Sequence, residues 1–422
     1  MCSLTARKIG QLFFVIPIPS DARDNGKDYF RPGKYMLKLF ALLIFSLSAM
    51  STHASEPIYI GFDGSYGQKS DTSAKAIELG ARIAIDEINA QGGVLNGRQL
   101  ELTTRDNQGL TMRGRDNYVA MASQRDLVAV LGGKHSPVIV ESIPDAQRMK
   151  VPYISVWGSA NQITDNIQTD SYMFRLSLKD EWGVVALLEQ AVKLSTNKKI
   201  CVLVPNTLWG RSGEKVLRDK SQSLHANLAS VNWYNWGDKD FGRQLDACAA
   251  SGATATLMIA NESEGALIVN QIAQRPEVER LPIVAHWGIT GGDFAALTGK
   301  SLEKVNLRVI QTFSFVNNPR PRANSLATKA MQAQNLKSPE AISSPVGVAQ
   351  AYDAVYLIAS AINKAQSTEG TNIRNTLENL PPYDGAIKRY APAYTRTKHD
   401  ALNSHQVLFA RINPDGSITP IR

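Results

Sequence analysis

In the stretch LGGKHSPVIVESI, Leu131 to Ile143, an apolar run breaks at two glycines, shows Lys134-His135-Ser136, and turns apolar again after Pro137. The glycines let the chain leave a strand tightly. Ser136 then reads as a helix N-cap with Pro137 at the first helical position. Free N–H groups and the helix dipole at such a start favour an anion, so a carboxylate held at a strand-to-helix turn is the chemistry these residues suggest. The plainer alternative is a cap with no ligand. His135 beside Ser136 is adjacent in sequence only, which gives no nucleophile–base geometry, and it reads as a loop histidine with its hydrogen bonds satisfied.

Enzymatic motifs are otherwise weak. GGDFAALTGKS resembles a phosphate-binding loop, but the glycine required five positions before Gly299 is Phe294. No G-x-S-x-G elbow and no H-E-x-x-H occurs. The chain is not expected to be an enzyme.

At 422 residues the chain exceeds one ordinary core, so two lobes are expected. Its 43% hydrophobic and 20% charged residues describe a soluble globular protein. The net charge of +8 is misleading as a sign of nucleic acid, because residues 1–54 carry seven Lys/Arg against three Asp/Glu. The remainder is mildly basic without clusters, and no nucleic-acid partner is expected.

That leading segment reads as a secretory signal. From Met36, MLKLFALLIFSLSAMSTHASEP has a lysine, the apolar run Leu39 to Met50, and the small-x-small site Thr52-His53-Ala54, which sets cleavage after Ala54. The run is shorter than the roughly 20 residues a bilayer span needs. Residues 1–35 upstream suggest that Met36 is the true start. No cysteine follows the cleavage site, so the mature protein is expected to diffuse freely in the periplasm. Cys201, in a strand interior, and Cys248, at the buried end of a nearby helix, either bridge in that oxidising setting or remain two core thiols. No other residue offers a metal-ligand spacing with them, and neither metal nor cofactor is expected.

Along the rest of the chain, short β-branched runs alternate with helix-period stretches: IYIGF, then Ser73 to Asn89; LELTTR, then Thr111 to Ser123; LVAVLGG, then Pro137 to Met149; and VPYISV. After SYMFRLSL the pattern restarts with KKICVLVP, LASVNWYNW, ATATLMIA and LPIVAHW, each of the first three followed by a helix. Two such series predict an α/β chain of two doubly wound parallel-sheet lobes. The remainder, with a helix over Val346 to Ala365 and a closing strand HQVLFARI, is too short for a third domain and should recross between them. Ligands bind beyond the carboxyl ends of parallel strands, so the interlobe cleft is the expected site.

ELGARIAIDEINAQGGVLNGRQLELTTRDNQ, YISVWGSANQIT, LVPNTLWGRSGEKV and AQAYDAVYLIASAINKA resemble, in order, the periplasmic leucine/isoleucine/valine-binding proteins, the type I solute-binding components of ABC transporters. The resemblance runs from Glu56 to the C-terminus. It implies the type I periplasmic-binding-protein fold with a hinge, residues 55–175 and 313–405 forming lobe 1 and residues 176–312 and 406–422 lobe 2. It also implies an extracytoplasmic substrate-binding protein that delivers a branched-chain-amino-acid-like or other small carboxylate solute to a permease and ATPase at the inner membrane. A ligand-sensing protein of the same fold, or a receptor for aromatic acids or amides, is the alternative.

The resemblance carries specific residues. Ser136 matches a serine that hydrogen-bonds the ligand carboxylate, and Gly158 and Ser159 match positions that bind its carboxylate and ammonium. Trp209 takes the place of an aromatic residue that covers the ligand as the lobes close. Trp157, a large amphipathic ring at a strand exit, should wall the pocket, and Tyr66 should add a rim contact. One position departs from the family. Where a carboxylate holds the ligand ammonium, this chain reads AHWGITGG, with Trp287 in the acid's place. A neutral ring cannot pair a buried ammonium, and leaving it unpaired is costly. Either Glu262 or Glu264 of ANESEG substitutes, or the ligand lacks an α-amino group. Trp157, Trp209, His286 and Trp287 together suit a flat or aromatic carboxylate.

Overall fold

The structure, a computed structural model, describes residues 56–67, 71–165 and 170–421. The expected signal peptide, its cleavage point and the start at Met36 lie outside the described residues.

The first series of apolar runs forms β1 (Ile58–Gly64), β2 (Leu100–Asp106), β3 (Leu127–Gly132), β4 (Tyr153–Ser155) and β5 (Met173–Arg175). They make one parallel sheet in the order β2-β1-β3-β4-β5. Burial on both faces explains why these strands read as continuous apolar runs, and all of β3 is buried. The second series gives β6 (Lys199–Pro205), β7 (Asn227–Tyr234), β8 (Ala255–Met258), β9 (Ile283–Ala285) and β10 (Leu307–Gln311). These repeat the order as β7-β6-β8-β9-β10. The two doubly wound lobes expected from the alternation are present.

The chain passes from the first sheet to the second after β5 and returns after β10. It adds a small hairpin, β11 (Tyr383–Asp384) with β12 (Arg389–Tyr390), and re-enters the second sheet as β13 (Leu408–Ile412) and β14 (Ile418–Pro420). Each closing strand pairs antiparallel with its neighbour, so the second sheet is mixed. The turn joining them, Asn413-Pro414-Asp415-Gly416, has Gly416 at φ +85°, which suits glycine.

Helix Pro345–Ala365 packs along helix Ser73–Ala90 under the first sheet. Their backbones nearly touch at Gly80, where a Cβ would lie 2.0 Å from the Val348 carbonyl oxygen, so only glycine fits. The longer helix is apolar and long enough to cross a bilayer by composition, but it is almost wholly buried in the fold, as a core helix is.

Two local expectations are corrected. The single helix expected over Pro137 to Met149 is two, Ser136–Glu141 and Ile143–Met149, broken at Ser142 because Pro144 has no N–H to continue the first. Ser136 is also not the cap: His135 holds the N-cap position, no side chain caps the turn, and the Ser136 hydroxyl serves another loop. Of the two possibilities for the cysteines, the structure has the bridge. Cys201 on β6 and Cys248 in helix Gly242–Ala250 are joined by a disulfide across a Cα–Cα distance of 5.3 Å.

Candidate functional site

The carboxyl ends of both sheets face one another, and the loops leaving them meet at a small cavity of about 10 Å³, enough for about one water. Lys134 and Ser136 come from the turn after β3, and Trp157 and Ser159 from the turn after β4. The second sheet contributes Trp209 after β6, Asn261 after β8, and His286 and Gly288 after β9. The cleft is closed. Thr72 N–H donates to the Gly291 carbonyl (2.8 Å), Ser344 Oγ donates to the Thr290 carbonyl (2.7 Å), and the His135 ring meets Trp236 edge-on at 5.3 Å.

Ser136 Oγ accepts from the N–H groups of Ser159 (3.1 Å) and Ala160 (3.2 Å), so it fastens the second turn to the first and keeps its own proton to donate. Gly158 fits beneath because a Cβ there would lie 2.8 Å from Ile139 Cδ1 and 3.2 Å from Ser136 Oγ. The turn is braced from behind by Arg175, fully buried, which donates to the carbonyls of Ser159 (2.6 Å) and Ala160 (2.9 Å) while pairing with Asp400 at 2.7 Å. This buried pair with its extra hydrogen bonds fixes the loop geometry.

His286 is a neutral ring, because burial drives its pKa down to about 3. Its Nδ1 accepts from Gly288 N–H at 3.1 Å, which leaves the proton on Nε2, facing Ser159 Oγ at 3.5 Å and Asp180 Oδ1 at 3.9 Å. Asp180 is fully buried at the first turn of helix Asp180–Leu194, and neither carboxylate oxygen makes a well-formed hydrogen bond among the described residues, although the Ser212 and Ser159 hydroxyls and the Trp209 indole N–H lie close enough to favour its charged form. Burial raises its pKa to about 6, with Ser212, Ser159 and Arg175 pulling the other way. The Trp209 Nε1–H, which likewise makes no well-formed hydrogen bond among the described residues, is one of the donors beside this carboxylate.

At the other end of the cavity Lys134 reaches across the cleft. Its Nζ lies 2.8 Å from Glu262 Oε1 and 3.1 Å from Oε2. It is 2.7 Å from Asp71 Oδ2, a close ion pair that falls off the hydrogen-bond angle. Burial alone would lower the Lys134 pKa, but Glu262 and Asp71 more than offset it and hold it above its ordinary value. Burial pushes the Glu262 carboxyl up, against the pull of Lys134.

The structure thus gathers Ser136, Trp157, Ser159 and Trp209 around the cavity, with Gly158 within the turn and Glu262 at its margin. It does not bring Trp287, Glu264 or Tyr66 there. Trp287 is wholly buried behind His286, its ring against Gly183 of helix Asp180–Leu194, and its neighbour His286 faces the cavity instead. Glu264 accepts from Gly237 N–H at 2.9 Å and closes a turn. The Tyr66 hydroxyl is committed to Glu78 at 2.7 Å. His135 Nδ1 has no hydrogen-bond partner among the described residues, so the expectation of a satisfied histidine fails. Its neutral ring, with a pKa lowered by burial to about 3, packs as an apolar plate. Lys134, Asn261 and Asp180 were not foreseen as site residues. The signal for Asp180 was an acid opening a helix just after the chain leaves the first sheet.

Ser136→Ala and Ser159→Ala are each expected to weaken binding of a carboxylate ligand by about 1.5–3 kcal/mol, the size of one hydrogen bond to a charged group. Calorimetric affinities unchanged in both variants would remove these hydroxyls from the site.

Two facing sheets of the same strand order, closed over a cleft at their carboxyl ends, define a type I binding-protein fold. The periplasmic binding protein family model matches residues 57–417, and the chain belongs to this family, the type I periplasmic binding proteins of ABC transporters. It is 24% identical over 254 residues to an amino acid binding protein of Pseudomonas aeruginosa, a match that takes in 59% of this chain and 64% of that protein. The chain therefore spans less than two thirds of that relative's length. Among solved structures it resembles the branched-chain amino acid transporter substrate-binding protein of Streptococcus pneumoniae in complex with isoleucine (TM-score 0.72, 23% identity, 86% of this chain and 99% of that one). It also resembles an ABC transporter solute-binding protein of R. palustris in complex with benzoate (TM-score 0.72, 12% identity, 86% and 95%). At these identities the structures speak for the fold.

Proposed function

We propose that this chain is the extracytoplasmic substrate-binding protein of an ABC importer, which closes its two lobes over a small carboxylate solute and hands it to a membrane permease in the periplasm. The solute class favoured is an α-amino acid. The observation that carries this is Asp180, a fully buried carboxylate whose oxygens make no well-formed hydrogen bond among the described residues, directly behind the cavity-lining Ser159, Trp209 and His286. A buried charge without a partner is costly, and an ammonium offsets that cost. A carboxylate a few ångströms away would meet the Ser136 hydroxyl, which keeps its proton to donate, so the two halves of a zwitterion have separate partners. Glu262, a candidate for the ammonium partner from the sequence, is already engaged by Lys134, and Glu264 by a backbone N–H.

The family of the chain and the amino acid binding protein among its relatives support the same reading. A planar aromatic carboxylate is the second reading, favoured by the Trp157, Trp209 and His286 rings that line the cavity. Entry of either solute requires the lobes to part, since the closed cavity holds about one water. The test is mass spectrometry of solute released by denaturing the protein purified from its native periplasm, followed by a thermal-shift screen of amino acids and aromatic acids. Amino acids that raise the unfolding temperature support the proposal. A response confined to benzoate-like acids supports the second reading, and no response to any carboxylate contradicts both.

A further inference from the structure

We propose that Lys134 is the specificity-determining residue of the interlobe cleft: its own ammonium fills a two-carboxylate cage, built by Asp71 and Glu262, that would otherwise take a second cationic group of a solute. The inference rests on the reading of the cleft as the solute site. Asp71 lies in the first lobe, before helix Ser73–Ala90, and is held in place by the Ser73 N–H (2.9 Å) and hydroxyl (2.6 Å). Glu262 opens helix Glu262–Gln274 in the second lobe. The Lys134, Asp71 and Glu262 side chains are 2%, 1% and 1% exposed, so water does not screen the cluster. Gly291 leaves room for the lysine stem: a Cβ there would lie 3.0 Å from Lys134 Cδ and 3.3 Å from Glu262 Oε2.

The cage is complete only when the lobes are closed, because its two acids sit on different lobes. Two carboxylates brought together in a dry site need a cation between them. A solute could supply it, but Lys134 is tethered within reach and competes at the high effective concentration of an intramolecular group. The cleft therefore has two acidic positions of opposite fate. On the reading above Asp180 takes the ligand ammonium, whereas the Asp71–Glu262 pair is filled from within. Solutes with a single ammonium are accommodated, and dibasic ones, whose second ammonium would have to displace Lys134, are refused.

The test is Lys134→Ala, which removes the ammonium and three carbons of the stem and leaves a slot the size of n-propylammonium between the two acids. Unfolding temperature is measured in millimolar n-propylammonium chloride and in sodium chloride of equal ionic strength. The variant should be less stable than the parent and should regain several degrees with n-propylammonium but not with sodium chloride, while the parent protein responds to neither. In Lys134→Ala/Glu262→Gln the amine response should vanish. If Lys134→Ala does not fold alone, the same expectation is read as recovery of folded protein on refolding with n-propylammonium. No amine-specific gain in either form overturns the cage.

Specificity is read separately, as affinity for lysine and ornithine. Lys134→Ala should bind them at least tenfold more tightly than the parent does, and an amine response without that gain overturns the specificity role. The amine response needs no solute, so failure of the cage and failure of the solute reading are told apart.

Discussion

Trp287→Ala is expected to destabilise the protein by about 3–5 kcal/mol, the usual result of truncating a fully buried large aromatic side chain. The indole is wholly buried, stacks beside His286 with ring centroids 3.7 Å apart, and presses on Gly183, where a Cβ would meet its Cζ3 at 3.2 Å. It therefore holds helix Asp180–Leu194 against the turn after β9, and through that helix it positions Asp180. Trp287→Phe, which keeps much of the ring, should lose far less. Chemical unfolding followed by circular dichroism reads both variants. Undiminished stability in Trp287→Ala with an altered ligand profile would return this residue to the pocket wall.

Loss of the Cys201–Cys248 bridge has an expected effect of similar size. The residues are 47 apart in sequence, and releasing a loop of that length restores chain entropy to the unfolded state worth about 4 kcal/mol. The bridge ties β6, which lies between the edge strand β7 and β8 in the second sheet, to helix Gly242–Ala250, so its loss should be felt by the second lobe. Comparing urea midpoints of the parent and of Cys201→Ala/Cys248→Ala checks this. Equal midpoints would mean that the bridge does not form in the purified protein.

The two lobes were legible because parallel strands buried on both faces, such as LVAVLG and KICVLVP, read as continuous apolar runs between helix-period stretches. Helix Asp180–Leu194 was not, since it follows the short β5 directly and was absorbed into the gap between the two series. Asp180 was hidden with it. The loops after β3, β4 and β6 could be read as site-bearing, because small and polar residues follow each apolar run. What a single sequence does not carry is the pairing of side chains across the cleft. Lys134 and Glu262 are 128 residues apart, and only the facing sheets bring them within 2.8 Å. For the same reason Trp287 and His286, neighbours in sequence, could not be sorted into core and cavity until the short turn Trp287–Gly291 was seen to point one ring inward and the other at the cleft.

The central claim is that a solute with both a carboxylate and an ammonium is held between the lobes, with Asp180 as the partner of the ammonium. It is tested most directly by calorimetric titration of the best amino acid from the screen and of its deaminated analogue, against the parent and Asp180→Asn, from pH 5 to 8. The parent should prefer the amino acid. Because the Asp180 carboxyl ionises near pH 6 and the ammonium needs its charged form, that affinity should fall about tenfold per pH unit below 6 and level off above it. Asp180→Asn should erase both the preference and the pH dependence while leaving the weaker binding of the analogue in place. Amino acid affinity that is the same in Asp180→Asn and flat across this range would contradict the account.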